Sequence, residues 1–225
     1  MRRLGLILIL LALLPGLAGA QERSVAPGVN RSYENPDFAG WRAVFENEGR
    51  EIHEHRHAIV EALAIRPGMV VADVGAGTGI MSLLFAEKVG AGGTAIAQDI
   101  VPEFLRGIEA RARQAGLKQV RTLLGGAQDA RLPANGVDLV FTSDTYHHFE
   151  YPQAMLASLH AALKPGGRLI VIDYEKIPGR SSPWVMGHVR ADRETVIAEV
   201  SAAGFVLERT HGFLRENYFL EFRKP

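Results

Sequence analysis

The segment Val70-Val71-Ala72-Asp73-Val74-Gly75-Ala76-Gly77-Thr78-Gly79 is the first place where residue types and spacing suggest chemistry. An apolar run enters a glycine-rich turn that opens a helical pattern; glycine permits the positive φ of a tight turn and lets backbone approach a ligand closely. The spacing is G-x-G-x-G rather than the G-x-G-x-x-G of dinucleotide sites, and Asp73 stands two places before the first glycine. A carboxylate there would repel a pyrophosphate and attract a cationic group. A second cluster is Ser143-Asp144-Thr145-Tyr146-His147-His148. Its phenol and imidazoles suit proton transfer: Tyr146 could position an acceptor while His147 or His148 removes its proton, with Asp144 orienting one ring. The alternative is that the histidine pair caps the next helix or packs beneath the site. A third motif, His53-Glu54-His55-Arg56-His57, matches H-E-x-x-H, in which two imidazoles share a helix face and the Glu activates a zinc-bound water. Three histidines in five residues make a chance match easy, and no third ligand follows at a familiar spacing, so the reading assigns no metal.

These groups need a scaffold, and the hydrophobic pattern predicts one. Residues 50–64 read as an amphipathic helix stopped by Arg66-Pro67-Gly68. Strand-like runs follow at 69–74, 93–98, 120–124, 137–141 and 168–174, with helical patterns near 80–89, 102–115 and 152–163. Short apolar strands alternating with helices are βαβ units, hence a parallel sheet covered on both faces. A further helix over 191–203 precedes strands at 205–209 and 217–222; the short link between those strands makes them antiparallel. The expected fold is α/β, a Rossmann-like seven-stranded, mostly parallel sheet ending in an antiparallel hairpin. Ligands in such sheets sit beyond the carboxyl ends of the strands at the switch point, which places Ser143 to His148 beside the glycine loop. Residues 177–190, containing His188, read either as a lid or as a plain connection. Trp41, Phe45, Phe205 and Phe219 read as core, and Glu46, Glu48, Arg50 and Glu51 as a charged helix face with local pairs.

The glycine loop with its preceding acid resembles the first motif of the class I S-adenosylmethionine-dependent methyltransferases. The resemblance runs in register over residues 50–222 through Ala97-Gln98-Asp99-Ile100, Gly125-Gly126-Ala127-Gln128-Asp129, Val137–Phe141 and Leu163-Lys164-Pro165-Gly166-Gly167. It implies S-adenosyl-L-methionine as cofactor. Asp73, Gly75, Ala76, Gly77, Thr78 and Gly79 would hold the methionine part, Asp99 with Ile100 the ribose, Ala127 and Gln128 the adenine, and Ser143 would flank the methyl. Many relatives carry Asp where this chain has Gly126, so the adenine contact must come from Gln128, Asp129 or backbone. Finer matches, Phe45-x-x-Glu48-Gly49-Arg50-Glu51, Asp144–Phe149 and Glu216-Asn217-Tyr218-Phe219, resemble an exported bacterial subgroup of small methyltransferase-like proteins and bring no reaction with them.

Of the 225 residues, the first 20 read as an export address: Met1-Arg2-Arg3, an apolar run from Leu4 to Leu14, and Ala18-Gly19-Ala20 before cleavage at Gln21. That run is too short for a comfortable membrane span, which takes roughly 20 apolar residues. The expected organisation is a signal peptide over 1–20, an extended lead-in over 21–40 and a catalytic domain over 41–225, exported to the periplasm with no stable membrane span after cleavage. The balance of 25 basic against 25 acidic residues argues against a nucleic-acid partner bound by bulk charge. The absence of cysteine excludes disulfides and thiolate metal sites. The leading functional expectation is methyl transfer to a small-molecule acceptor. The alternatives are an exported non-enzymatic binding protein reusing the cofactor cleft, and a zinc enzyme built on His53, Glu54 and His57.

Overall fold

The computed structural model describes residue 21 and residues 23–225, so the expected signal peptide lies outside the described residues. A short 3-10 turn (Arg31–Tyr33), α1 (Phe38–Phe45) and α2 (Glu51–Ala62) precede the sheet. The Asp37 side chain starts α1 by accepting the Ala39 and Gly40 N–H groups at 3.1 and 3.0 Å, satisfying donors that a helix leaves free. After α2, Ala64 adopts φ +48° and the chain turns into β1 (Val70–Val74).

Then follow α3 (Ile80–Val89), β2 (Thr94–Asp99), α4 (Pro102–Gln114), β3 (Val120–Leu124), β4 (Val137–Ser143), α5 (Pro152–Ala162) and β5 (Leu163–Tyr174). This is the predicted alternation, with each of α4 and α5 opening on a proline whose missing N–H costs a first turn nothing. The chain continues through α6 (Pro183–His188), α7 (Arg193–Ala202), β6 (Val206–His211) and β7 (Asn217–Arg223).

The seven strands form one sheet in the order β3-β2-β1-β4-β5-β7-β6. All neighbouring pairs from β3 to β5 are parallel, and β7 runs antiparallel to both β5 and β6. The order reverses between β1 and β4, which makes their carboxyl ends the switch point. Alternate side chains of the central strands feed two cores. Val71, Leu139, Phe141, Ile170 and Ile172 pack with Ile59, Leu63 and Phe85 of the α2–α3 side; Ala72, Val74, Val140, Leu169 and Val171 pack with Leu156, Leu159, Val196 and Val200 of the α5–α7 side. Phe205 and Phe219 are buried as expected.

The lead-in does more than extend. Val25 N–H bonds the Glu150 carbonyl at 2.9 Å and the Asn30 amide donates to the His148 carbonyl at 3.1 Å, so residues 25–33 lie against the loop after β4. With α1, they cross the carboxyl ends of the strands. That placement takes Trp41 and Phe45 out of the core, where they were expected, and puts both on the wall of a cavity. An apolar helical period marks a face that is covered, and a ligand cleft covers it as well as a core does.

Candidate active site

A cavity of about 810 Å³ opens at the carboxyl ends of β1, β2 and β4. Its floor is the glycine turn. Gly75 (φ +74°) lies directly under the Thr145 side chain, and Gly79 (φ +83°) opens α3 against Ile108; a Cβ at either place would collide with its neighbour. Gly77 N–H donates to Asp99 Oδ2 at 2.8 Å, and Val101 N–H donates to Oδ1 at 2.9 Å. Two donors hold this carboxylate in one orientation while leaving each oxygen a further lone pair. Burial nevertheless pushes the Asp99 carboxyl up to about 6. Asp73 faces the same cavity with one partner, the Ser82 hydroxyl at 2.5 Å, and burial pushes its carboxyl up to about 7.

Ala76, Thr78, Ile100, Ala127 and Ser143 line the cavity. Gln128 does not: it is exposed and off the cavity wall, while Gly126 and Ala127 present the loop after β3. Asp129 is also committed elsewhere, accepting from Ser158 Oγ at 2.7 Å and from Arg131 N–H at 2.7 Å. Any adenine contact from this loop therefore comes from backbone or from Ala127.

Tyr33, Trp41, Phe45 and Phe104 form an aromatic wall, with ring centroids 4.8 Å apart for Tyr33–Trp41 and 5.1 Å for Trp41–Phe45. The end of α1 is fastened over the glycine turn by Glu46, which accepts the Thr78 hydroxyl at 2.9 Å and pairs with the Arg111 guanidinium. Burial alone would raise the Glu46 carboxyl; its bonds to Arg111 and Thr78 outweigh that and hold it below the usual range. Glu46 thus makes a long-range tie as well as its local pair with Arg42.

The far end of the cavity is the histidine side. His147 and His148 both line it, together with Tyr174, Trp184 and His188. Tyr146 does not, which corrects its expected role: its hydroxyl donates to Glu199 Oε2 at 2.7 Å inside the α5–α7 core, beneath the Arg190 guanidinium. Residues 146–148 form a 3-10 turn, where successive side chains point about 120° apart, so the three cannot share a direction. Asp144 does not orient a histidine either. That part belongs to Asp173 at the end of β5, whose carboxylate accepts His147 N–H at 2.9 Å and meets His147 Nδ1 at 2.8 Å. Burial works against charge on both partners, but their mutual attraction wins, lowering the Asp173 pKa and raising that of His147. His148 has no such partner; burial and the charges of His147 and His188 push it down to about 3.

Asp144, at φ +48°, instead accepts Arg50 Nη2 at 2.8 Å, Arg50 Nε at 3.2 Å and Asn217 Nδ2 at 2.6 Å. Beside it, Glu51 takes the backbone N–H groups of Arg215, Glu216 and Asn217, the last two at 2.9 Å. The three motifs that carried no reaction in the sequence are therefore one hydrogen-bonded knot, and its Arg50, Asp144 and Glu216 stand on the cavity wall. The H-E-x-x-H stretch stays apart from all this: Glu54 is spent on Gly49 N–H at 2.8 Å, and among the described residues neither His53 nor His57 joins a three-ligand group.

Sequence reasoning missed Tyr33, Arg50, Asp173 and Tyr174 as site residues. Asp173 ends a predicted strand, as Asp73 and Asp99 do, and that shared position was the available signal.

Residues 65–207 match the protein family described as "Methyltransferase domain". The chain is 33% identical over 123 residues to the ubiquinone/menaquinone biosynthesis C-methyltransferase of Hydrogenovibrio crunogenus, covering 54% of this chain and 48% of that protein. It is 34% identical over 125 residues to the nocamycin O-methyltransferase of Saccharothrix syringae, covering 56% of this chain and 44% of that one. The matched region thus spans about half the length of these curated relatives. A SAM-dependent methyltransferase from Aquifex aeolicus shares the fold with a TM-score of 0.74 at 22% identity, over 84% of this chain and 100% of that one.

Proposed function

Since the chain belongs to the methyltransferase-domain family, we propose that it binds S-adenosylmethionine in the cavity and passes the sulfonium methyl to a small-molecule acceptor at the histidine end. One observation carries this reading: Asp73, the turn from Gly75 to Thr78 and Asp99 line the same cavity as His147, Tyr174 and His188; Gly79, packed against Ile108, stands off its wall. Asp73 would take the cofactor's ammonium group, Asp99 both ribose hydroxyls, and the aromatic wall of Trp41 and Phe104 would lie beside the adenine with Ala127. The acceptor's nucleophilic atom forms a bond to the methyl carbon as the carbon–sulfur bond breaks, and that electron pair stays on sulfur as a neutral thioether. Such a displacement draws its rate from alignment and from exclusion of water. The covering lead-in supplies both.

Calorimetry with S-adenosylhomocysteine tests the reading. Micromolar binding is expected, and Asp99→Ala should weaken it at least about tenfold, because hydrogen bonds to a charged carboxylate contribute ~1.5–3 kcal/mol each. No heat with either S-adenosylmethionine or S-adenosylhomocysteine would sink it.

Residues 1–20 would direct export, leaving a chain that starts at Gln21; mass spectrometry of periplasmic material checks this. Export also favours a second reading, because S-adenosylmethionine is made in the cytosol: a binding protein that keeps the cleft and has lost turnover. Retained ligand binding without methyl transfer to any acceptor fraction of the envelope would favour it.

A further inference from the structure

His147, His148 and His188 each offer a ring nitrogen, and the three atoms lie within 4.8 Å of one another. Among the described residues this is the sole group of three or more His, Cys, Asp or Glu so arranged. Ring centroids are 4.2 Å apart for His147–His148, 5.1 Å for His147–His188 and 5.3 Å for His148–His188. Among the described residues, His147 Nε2 and His148 Nδ1 are buried without a hydrogen-bond partner. An orphaned buried polar atom costs ~1–3 kcal/mol and is rare in folded proteins. Two at one spot, on adjacent rings, mark a place where a third body belongs.

The support behind the cluster fits a metal. Asp173 holds His147 Nδ1, so Nε2 is the nitrogen of that ring left for an ion, which would displace any proton it carries. A carboxylate behind a ligating imidazole is the usual way a metal site fixes tautomer and ring orientation. His188 is set by stacking on Trp184 at 4.7 Å and 23°. We propose that His147, His148 and His188 bind one divalent transition-metal ion of the zinc type, with a fourth position open toward the cavity. Three imidazoles and an open position are the composition of catalytic rather than structural zinc sites. Zn–N bonds of about 2.0–2.1 Å bring tetrahedral ligand atoms nearer together than the present spread.

This deepens the methyl-transfer reading and, in its second half, rests on it. The open position takes an acceptor through an ionised sulfur or oxygen: the cation lowers the pKa of the X–H group, and its proton leaves to solvent. The lone pair of X then attacks the methyl carbon, and the departing electron pair remains on the cofactor's sulfur.

The test uses untagged, chelator-stripped protein without cofactor. Cobalt(II) should bind at one equivalent, give the visible bands of a tetrahedral ion, and be displaced by zinc. His188→Ala, at a half-buried position, should weaken zinc binding at least 100-fold with unchanged circular dichroism. Asp173→Asn, a positioning change, should weaken it by about 10–100-fold. The pair His53→Ala/His57→Ala should leave binding intact. Binding well below one equivalent, binding that survives His188→Ala, or binding lost with His53 and His57 overturns the proposal. Because no cofactor is present, failure here is distinct from failure to bind S-adenosylhomocysteine.

Discussion

Asp73→Asn should make the empty protein more stable and the cofactor weaker. Asp73 is 3% exposed and has one side-chain partner, Ser82. Its carboxyl is raised from 3.8 to about 7 by burial. At about 1.4 kcal/mol per decade of proton affinity, the ionised group costs the empty fold about 4 kcal/mol near pH 8. The sign follows from a raised pKa: the protonated form is at ease in the fold, so stability is full below 3.8 and is lost as pH rises through about 7. The isosteric amide keeps an oxygen for the Ser82 hydroxyl and removes the charge. Its gain should be about 4 kcal/mol near pH 8, fall to about 2 near pH 5, and shift the midpoint of thermal unfolding by the order of 10 °C at the higher pH. Scanning calorimetry of both proteins across that range reads it directly. With saturating S-adenosylmethionine the gain near pH 8 should shrink by about half, because the wild-type carboxylate gains an ammonium partner and the amide does not; affinity should drop at least 30-fold, about 2 kcal/mol. A variant that is less stable at pH 8, or whose gain is flat with pH, would refute the reasoning that Asp73 is an uncompensated charge awaiting a cation.

Tyr146→Phe should keep methyl transfer within about threefold and lose ~1 kcal/mol of stability, the net value of the hydroxyl's bond to Glu199; steady-state kinetics and urea denaturation separate the two, and a 100-fold fall in kcat would restore Tyr146 to the chemistry. Asp144→Ala should destabilise by about 3–5 kcal/mol, since it strands the Arg50 guanidinium and the Asn217 amide; in a double-mutant cycle, Arg50→Met should recover part of that loss, and strict additivity would contradict the pairing.

The sheet up to β5 was legible because its signals are local: apolar runs, glycine turns and prolines each act within a few residues. Asp73 and Asp99 were legible for the same reason, standing beside the glycines that place them. Gln128 was misplaced because the direction of a loop side chain depends on where Gly125 and Gly126 bend, and neither neighbour's identity encodes that. Tyr146 failed on phase: three adjacent residues look equivalent in sequence, and a 3-10 turn sends them to different places. The tie between Asp173 and His147 joins residues 26 apart on different elements. No spacing rule reaches across that distance, although the ends of parallel strands converge at the switch point. Trp41 and Phe45 show the limit of hydrophobic period, which marks a covered face and not what covers it.

The position of β7 between β5 and β6 makes the last strand of the chain an interior one. β6 precedes β7 in the chain, yet it reaches the sheet only by pairing with β7. The knot on the cavity wall depends on the same strand: Asn217 is 73 residues from Asp144 and 166 from Glu51. Contacts over such separations form slowly, because the loop must close before they contribute. The glycine turn and Asp99, by contrast, sit within consecutive βαβ units. The cavity wall therefore joins a glycine turn tied to Asp99, 22 residues away, to a knot tied across 166 residues.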